Sequence, residues 1–427
     1  MITSPTWRDK RYAVLGLARS GAATVRALVA SGAEVTAWDS NAAARAAVSG
    51  ATIANPEEID LAGFDGLVVS PGVPINRHPV AAKARAAGVP IIGDIELFAQ
   101  ARAGLPAHKL VGITGTNGKS TTTALIHHLL ETAGMPARLG GNIGKPILGE
   151  EPLPEGGVYV LELSSYQIDL TASLDCDVAI LLNITPDHLD RYAGFEDYAA
   201  SKARLFAMQS PDHAAIIGIG DSASADIARS LSARGEHLTK IAPGICMDQS
   251  CWPSLQGPHN AQNALAAIDA CKVLGVDDAT IDRGLASFKG LPHRMERVGT
   301  RGGVAFVNDS KATNPDSTAP ALAAFDRIHW ILGGQAKTDD LDACAPSFGH
   351  VARAYTIGEA GPRFAAILKP LMSVEESGTL AAAVNSAAAN AVAGETVLLS
   401  PACASFDQFR DFEDRGDQFR ALVGALV

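Results

Sequence analysis

The sequence predicts an α/β protein made of three successive blocks, each alternating strands and helices around a doubly wound sheet. Near-continuous apolar runs, such as Tyr159-Val-Leu-Glu-Leu163 and Val178-Ala-Ile-Leu-Leu-Asn183, have the character of parallel strands buried on both faces. Helical stretches fall between such runs, and Gly-rich turns follow the strands near residues 16 and 115. At 427 residues the chain is long enough for two to four domains.

Composition narrows the class. A hydrophobic fraction of 47% against 19% charged residues marks a folded globular chain. A net charge of −11 argues against nucleic acid as the main partner, and 5% aromatics leave little for a base-stacking platform. The six cysteines form no Cys-x-x-Cys pair and read as buried free thiols in a reducing compartment. The N-terminus lacks the apolar core of a signal peptide, and no apolar run is long enough to span a bilayer. The expectation is a soluble cytoplasmic protein without membrane insertion.

The first block opens with the strand Tyr12-Ala-Val-Leu15, the turn Gly16-Leu-Ala-Arg-Ser-Gly21 and a helix over 22–31. The strand Glu34-Val-Thr-Ala-Trp-Asp39 ends in a carboxylate. This approaches the dinucleotide-binding fingerprint, with Asp39 placed to meet a ribose, although Ala18 replaces the middle glycine. A further strand, Gly66-Leu-Val-Val69, runs into the turn Ser70-Pro71-Gly72. Turns at strand carboxyl ends are where open α/β sheets bind ligands. The block suggests a nucleotide-containing ligand; a nicotinamide dinucleotide and an α/β turn without any dinucleotide both fit it.

The second block carries the most informative segment, Val111-Gly-Ile-Thr-Gly-Thr-Asn-Gly-Lys-Ser-Thr-Thr-Thr123. A strand ends in a Gly-rich turn, and Lys119 and Ser120 open a helical run over 121–132. Backbone N–H groups and a helix N-terminus then face phosphates, the lysine adds a point charge, and the serine hydroxyl can ligate Mg²⁺. Ile113 stands where the general P-loop pattern has its first glycine, so the loop is a shorter variant. Glu162 is a carboxylate in an apolar strand; it suits Mg²⁺ held jointly with Ser120, or a salt bridge at the strand end. His188, after the strand over 178–183, can be a metal ligand or a surface residue. Lys202 and Arg204, close together on a helix over 197–205, fit a solvated basic face. Helices are expected over 223–234 and 263–274. Asn260 and Asn263, at i and i+3, share a helix face and can read an adenine edge or cap the helix.

The third block opens after Arg297. Its strands Ala305-Phe-Val-Asn308, His329-Trp-Ile-Leu332 and Glu395-Thr-Val-Leu-Leu399 each run into a polar segment: Asn308-Asp-Ser-Lys-Ala-Thr-Asn314, Leu332-Gly-Gly-Gln-Ala-Lys337 and Leu399-Ser-Pro-Ala-Cys-Ala-Ser-Phe-Asp-Gln-Phe409. A helix over 380–392 precedes the last strand. Three polar strand ends either converge on one sheet edge to hold an anionic small molecule or are three ordinary loops.

Taken in order, these segments resemble the Mur ligase family, the ATP-dependent amide-forming enzymes of peptidoglycan precursor synthesis. The resemblance spans nearly the whole chain, through the loop ending in Lys119-Ser120, Glu162, Asn183 to His188, the Lys202 helix, His259-Asn260, His293-Arg294 and Asn308 to Asn314. The Gly16–Gly21 turn, Gly333 to Lys337, and Leu399 to Phe409 with Arg415-Gly416 point to the D-glutamate-adding branch. No Asn-Pro-Arg signature of the diaminopimelate- or lysine-adding branch is present.

The resemblance implies a Rossmann-like UDP-sugar domain over 1–98, a central P-loop-type ATPase domain over 99–297 and a Rossmann-like amino-acid-binding domain over 298–427. It implies an ATP-dependent ligase joining D-glutamate to UDP-N-acetylmuramoyl-L-alanine (UDP-MurNAc-L-Ala) through an acyl phosphate, acting as a monomer. Gly115, Thr116, Asn117, Gly118, Lys119, Ser120 and Thr121, with Asn260, Asn263, Arg294 and Asp309, would bind ATP. Leu17, Ala18, Arg19, Ser20, Asp39, Ser70, Pro71, Gly72, Asn142 and His188 would bind the UDP-sugar. Thr313, Lys337, Ser405, Phe406 and Phe412 would bind D-glutamate. Two Mg²⁺ ions would be held by Ser120, Glu162, His188 and a CO₂-derived carbamate on Lys202. Lys119, His188, Lys202 and Lys311 would form the catalytic set. Another Mur-type or folylpolyglutamate-type ligase, a nicotinamide oxidoreductase and a non-catalytic nucleotide-binding module are the competing expectations.

Overall fold

The computed structural model describes residues 1–187, 191–242, 244, 247–252 and 254–426. They form three sheets. The first contains β1 (Arg11–Leu15), β2 (Glu34–Trp38), β3 (Thr52–Ile53), β4 (Gly66–Val69) and β5 (Ile91–Ile92), in the order β3-β2-β1-β4-β5, all parallel. The second contains β6 (His108–Thr114), β7 (Ala137–Gly141), β8 (Gly157–Glu162), β9 (Val178–Leu181), β10 (Ala214–Gly218) and β11 (Leu238–Ile241), in the order β11-β10-β9-β6-β8-β7, again parallel. The third contains β12 (Glu296–Arg301), β13 (Val304–Asn308), β14 (Ile328–Gly333), β15 (Val351–Ile357), β16 (Val374–Gly378) and β17 (Thr396–Leu399), in the order β12-β13-β17-β14-β15-β16. Only β12 runs antiparallel, as an edge strand paired with β13.

The chain packs as two compact units. The first comprises Met1–Pro243 and Leu265–Gly284 and holds the first two sheets; the second comprises Gly244–Ala264 and Leu285–Val427 and holds the third. One continuous apolar core runs through the first unit, joining Trp7, Val14, Leu28 and Phe98 to Leu110, Tyr159 and Leu161. The two sheets therefore share buried area and stabilise one another. In the second unit, separate clusters cover the third sheet, one around Trp330, Leu332 and Phe364 and the other around Phe306, Tyr355 and Phe419.

Several elements depart from expectation. The helix after the first turn begins at Arg19, because Gly21 can sit against the loop: a Cβ there would meet the Gly16 carbonyl oxygen at 1.8 Å. The helix expected over 223–234 ends at Ser230, where a 3-10 segment with Gly235 at positive φ takes over. The helix that carries Asn260 and Asn263 begins at Pro258, a residue suited to a first turn, and runs without a break to Val273, absorbing the separate helix expected over 263–274. Four cysteines are buried as expected, but Cys251 is exposed; Cys246 lies outside the described residues. No helix among the described residues is long and apolar enough to cross a membrane.

Candidate functional site

In the first unit, β1 lies between β2 and β4, so the Gly16 turn and the Ser70 turn emerge side by side at a switch point of the sheet. Gly16 has φ +87°, a left-handed conformation that favours glycine. The Ser70 hydroxyl donates to its carbonyl at 2.7 Å. Asp39 does local work here: its carboxylate accepts the N–H groups of Leu17 (2.6 Å) and Asn41 (2.8 Å), fixing the turn that would meet the nucleotide. Arg19 reaches the Gly144 carbonyl at 2.7 Å, and Ala18 precedes the helix without a side-chain cap. Buried Asp94 lines the small space beneath Ser20, Gly21 and Ser70, and burial pushes its carboxyl up to about 6.

In the second sheet, β6 lies between β9 and β8, again a switch point, and the phosphate loop follows it. Gly115 (φ +151°) and Gly118 (φ +85°) supply the backbone that the loop requires. Gly118 precedes the helix Lys119–Thr132 and provides no side-chain cap, so the helix N-terminus is presented to the loop. The loop is clamped from the end of β9. Asn183 accepts the Asn117 N–H at 2.9 Å and donates to the Asn117 carbonyl at 3.2 Å, while its own carbonyl accepts the Thr116 N–H at 2.9 Å. The Thr116 hydroxyl accepts the Thr185 N–H at 3.0 Å and lies 3.1 Å from the Tyr198 hydroxyl.

Two lysines meet the same carbonyl. Lys119 Nζ donates to the Gly115 and Thr116 oxygens, each at 2.8 Å, and Lys202 Nζ donates to Gly115 at 3.0 Å. Lys202 is 1% exposed, with its ammonium 4.6 Å from the Tyr198 ring centroid. The solvated-face reading of this helix is therefore corrected: Arg204 is exposed, and Lys202 is not. Burial, reinforced by the Lys119 charge, holds the Lys202 amine well below the ordinary lysine range; Asp187, Asp169 and Glu162 pull in the other direction.

Glu162 ends β8 and is 2% exposed. Asn142 donates to its Oε1 at 2.8 Å, while Oε2 is buried without a hydrogen-bond partner. An unpartnered carboxylate oxygen beside a phosphate loop fits a hard divalent cation. Among the described residues no group of three or more His, Cys, Asp or Glu side chains could hold a metal. His188 lies outside the described residues.

In the second unit, β13, β17 and β14 are adjacent and parallel, so the segments bearing Thr313, Lys337 and Ser405 leave one edge of the sheet. Ser405 is buried, Thr313 half-buried, Lys337 exposed, and Phe406 is 68% exposed. The Lys311 ammonium sits 3.6 Å from the Phe412 ring centroid. Buried Arg415 donates to the carbonyls of Ser310 (2.8 Å) and Cys403 (3.0 Å) and to the Ser310 hydroxyl (3.0 Å), binding two of the polar segments together. Arg294 lies between His293 and Met295, both at positive φ. That strained turn is pinned by Lys311 N–H to the His293 carbonyl (3.0 Å) and Met295 N–H to Asp309 (3.2 Å). Burial pushes the Asp309 carboxyl up to about 7, against hydrogen bonds from Ser400 and Met295. Asn263 donates to Asn260 at 3.1 Å, as their shared face requires.

Comparison with known proteins agrees with this fold. Residues 113–248 match the Mur ligase middle domain, and residues 293–403 match the Mur ligase glutamate ligase domain. The UDP-N-acetylmuramoylalanine–D-glutamate ligase of Novosphingobium aromaticivorans is 65% identical over 100% of this chain and 97% of its own. The chain belongs to the Mur ligase family. A Mur ligase of the same name from Zymomonas mobilis is 56% identical over the full length of both chains. Among solved structures, the UDP-N-acetylmuramate-alanine ligase of Thermotoga maritima shares the fold, with a TM-score of 0.60 at 15% identity over 97% of this chain and 99% of that one. Mur ligases use ATP and Mg²⁺ and act on small molecules.

Asn183, Tyr198, Asp94 and Arg415 are structurally central and were not assigned a place in the site by sequence reasoning. For Lys202 a signal existed: Tyr198, Ser201, Lys202 and Leu205 recur at helical spacing on the buried face of Phe195–Ala207.

Proposed function

We propose that this Mur ligase joins D-glutamate to UDP-MurNAc-L-Ala at the expense of ATP, in peptidoglycan precursor synthesis. The observation that carries the chemistry is the phosphate loop flanked by buried Lys202 and by the unpartnered Glu162 oxygen. Relatives of one name along the full chain support the choice of D-glutamate.

In this reading, 1–98 binds the UDP-sugar, 99–297 binds ATP and 298–427 binds the amino acid. The Gly16 and Ser70 turns, with Asn142, receive the sugar nucleotide. Loop residues 115–121 cradle the triphosphate, and Asn260, Asn263, Arg294 and Asp309 complete the nucleotide site. Thr313, Lys337, Ser405, Phe406 and Phe412 receive D-glutamate, whose carboxylates suit the Lys337 charge.

A carboxylate is a poor acyl donor because oxide does not leave. Its oxygen attacks the γ-phosphorus, ADP departs, and an acyl phosphate remains. Lys119 offsets charge on the transferring group. The neutral amine of D-glutamate then attacks the acyl carbon, and phosphate leaves. Lys311 would lie between the phosphates and the incoming amino acid. Positioning and preorganised charge supply most of the acceleration. Ser120 and Glu162 would hold one Mg²⁺, and His188 with Lys202 the other; the ions supply charge neutralisation on the phosphates. Lys202 would serve as a carbamate: its nitrogen adds to CO₂ with loss of protons, which converts a cation into an anionic oxygen ligand, and the burial that lowers its basicity favours the step. The protein would act in the cytoplasm as a monomer.

The test is ADP release with and without UDP-MurNAc-L-Ala and D-glutamate. Release that requires both supports the reading. Nucleotide binding without turnover, or turnover indifferent to D-glutamate, would overturn it.

A further inference from the structure

The turn Ser70-Pro71-Gly72 and the phosphate loop belong to different sheets of the first unit, and a short segment after β9 joins them. The Arg191 guanidinium donates to the Gly72 carbonyl at 3.1 Å and lies 4.3 Å from the Tyr166 ring centroid. The Asn76 amide, in the 3-10 segment that follows the turn, donates to the Arg191 carbonyl, so the turn and its continuation are each tied to this residue. The next residue, Tyr192, stacks with Tyr166 at 6.2 Å, donates to Asp169 at 2.8 Å and lies 3.4 Å from the Ser201 hydroxyl. Its ring is 5.5 Å from that of Tyr198, whose hydroxyl meets Thr116 of the phosphate loop and whose face carries the Lys202 ammonium. A cavity of about 810 Å³, lined by Pro71, Val73, Ile75 and Asn76 on one side and by Tyr166 and Tyr192 on the other, borders the turn. Packing therefore does not fix the turn on that side; Arg191 and Asn76 do.

We propose that Arg191 and Tyr192 are positioning residues that register the Ser70–Gly72 turn against the phosphate loop, so that the sugar nucleotide and ATP bind cooperatively. The inference rests on the function proposed above. A ligand that orders the Gly72 turn orders the Arg191 contact, the Tyr192 stack and the Tyr198 hydroxyl against Thr116. By thermodynamic reciprocity, a nucleotide in the loop must favour the sugar nucleotide by the same factor.

The experiment is a linkage titration by calorimetry on the full chain. The affinity for Mg²⁺ with a non-hydrolysable ATP analogue is measured with and without saturating UDP-MurNAc-L-Ala. The wild type is expected to bind the analogue about tenfold more tightly when the sugar nucleotide is present. Arg191→Ala should bring that factor near one while leaving the analogue's affinity without sugar nucleotide within about twofold. Arg191→Lys, which keeps the charge but loses the planar fork, should retain part of it. Tyr192→Phe keeps the ring, drops both hydroxyl contacts, and should leave a factor of about three. Unchanged coupling in Arg191→Ala and Tyr192→Phe, or a wild type that turns over yet binds the two ligands independently, overturns the inference alone. A wild type that binds both ligands without any D-glutamate-dependent ADP release strikes instead at the function on which it rests.

Discussion

Lys202 beside the phosphate loop and Arg415 at the strand ends of the third sheet are both buried cations, and their surroundings differ. Arg415 is saturated, with three short donations to two polar segments and a longer one to the Ala404 carbonyl. Lys202 has one carbonyl contact and an aromatic face, shares that carbonyl with the Lys119 ammonium, and feels the charge of Glu162, a carboxylate with one oxygen unpartnered. The same costly act, burying charge, serves two ends. Where the cation is saturated it organises scaffold; where pairing is left incomplete the protein holds space for a ligand.

The comparison can be broken at either side. The largest effect is expected from Lys119→Ala, which removes one phosphate-facing charge from the incompletely paired side. ADP release should fall by about 10³-fold in a variant that still folds, because the loop loses the two Lys119 contacts to Gly115 and Thr116 but keeps the Asn183 clamp. Near-normal turnover in the folded variant would place the ATP site elsewhere.

Lys202→Ala should lose about 10²-fold or more, and acetate or another short carboxylic acid should restore part of the rate by filling the vacated anion position. Arginine should not substitute, since it takes up no CO₂ there. High activity without added carboxylate would reduce Lys202 to a buried helix residue.

On the saturated side, Arg415→Met should instead destabilise the second unit by about 3 kcal/mol, read as a lowered midpoint in chemical denaturation, because it strands several buried carbonyls. A variant with normal stability and lost activity would reverse the assignment of Arg415 as scaffold.

The smallest effect concerns Asp309, whose carboxyl is raised from 3.8 to about 7. The folded chain keeps this proton longer than the unfolded chain. The group's contribution is thus most favourable below about pH 4 and declines as pH rises to about 7. Asp309→Asn should flatten that decline and gain on the order of 1 kcal/mol at pH 8, even as ATP turnover drops. An unaltered pH profile of stability would show that Asp309 ionises freely in the fold.

The strand–loop–helix turn at Gly115–Ser120 was legible in the sequence because its geometry is local: Gly115 and Gly118 take the positive φ with which a strand passes into the helix that opens at Lys119. The clamp on that loop was not, because Asn183, Thr185 and Tyr198 reach it from distant segments. The strands β1, β8, β9 and β14 announced themselves by apolar runs. β12 did not: its sequence, Glu296-Arg-Val-Gly-Thr-Arg301, is polar and suits an edge strand, and its pairing with β13 is bulged. Lys202 misled through its neighbour Arg204, since residues two apart on a helix do not share a face.

The interruption of the first unit carries a consequence for synthesis. Leu265–Gly284 returns to that unit after the chain has contributed Gly244–Ala264 to the other. Gly284 fits there tightly: a Cβ on it would come within 2.4 Å of Leu129 on the very helix that begins at Lys119. A nascent chain ending at residue 243 would hold every strand of both sheets and the whole phosphate loop, yet one flank of that helix would lack its cover. On the ribosome the first unit therefore completes its packing only after the first stretch of the other unit has emerged, and fragments cut before residue 284 should be prone to aggregate.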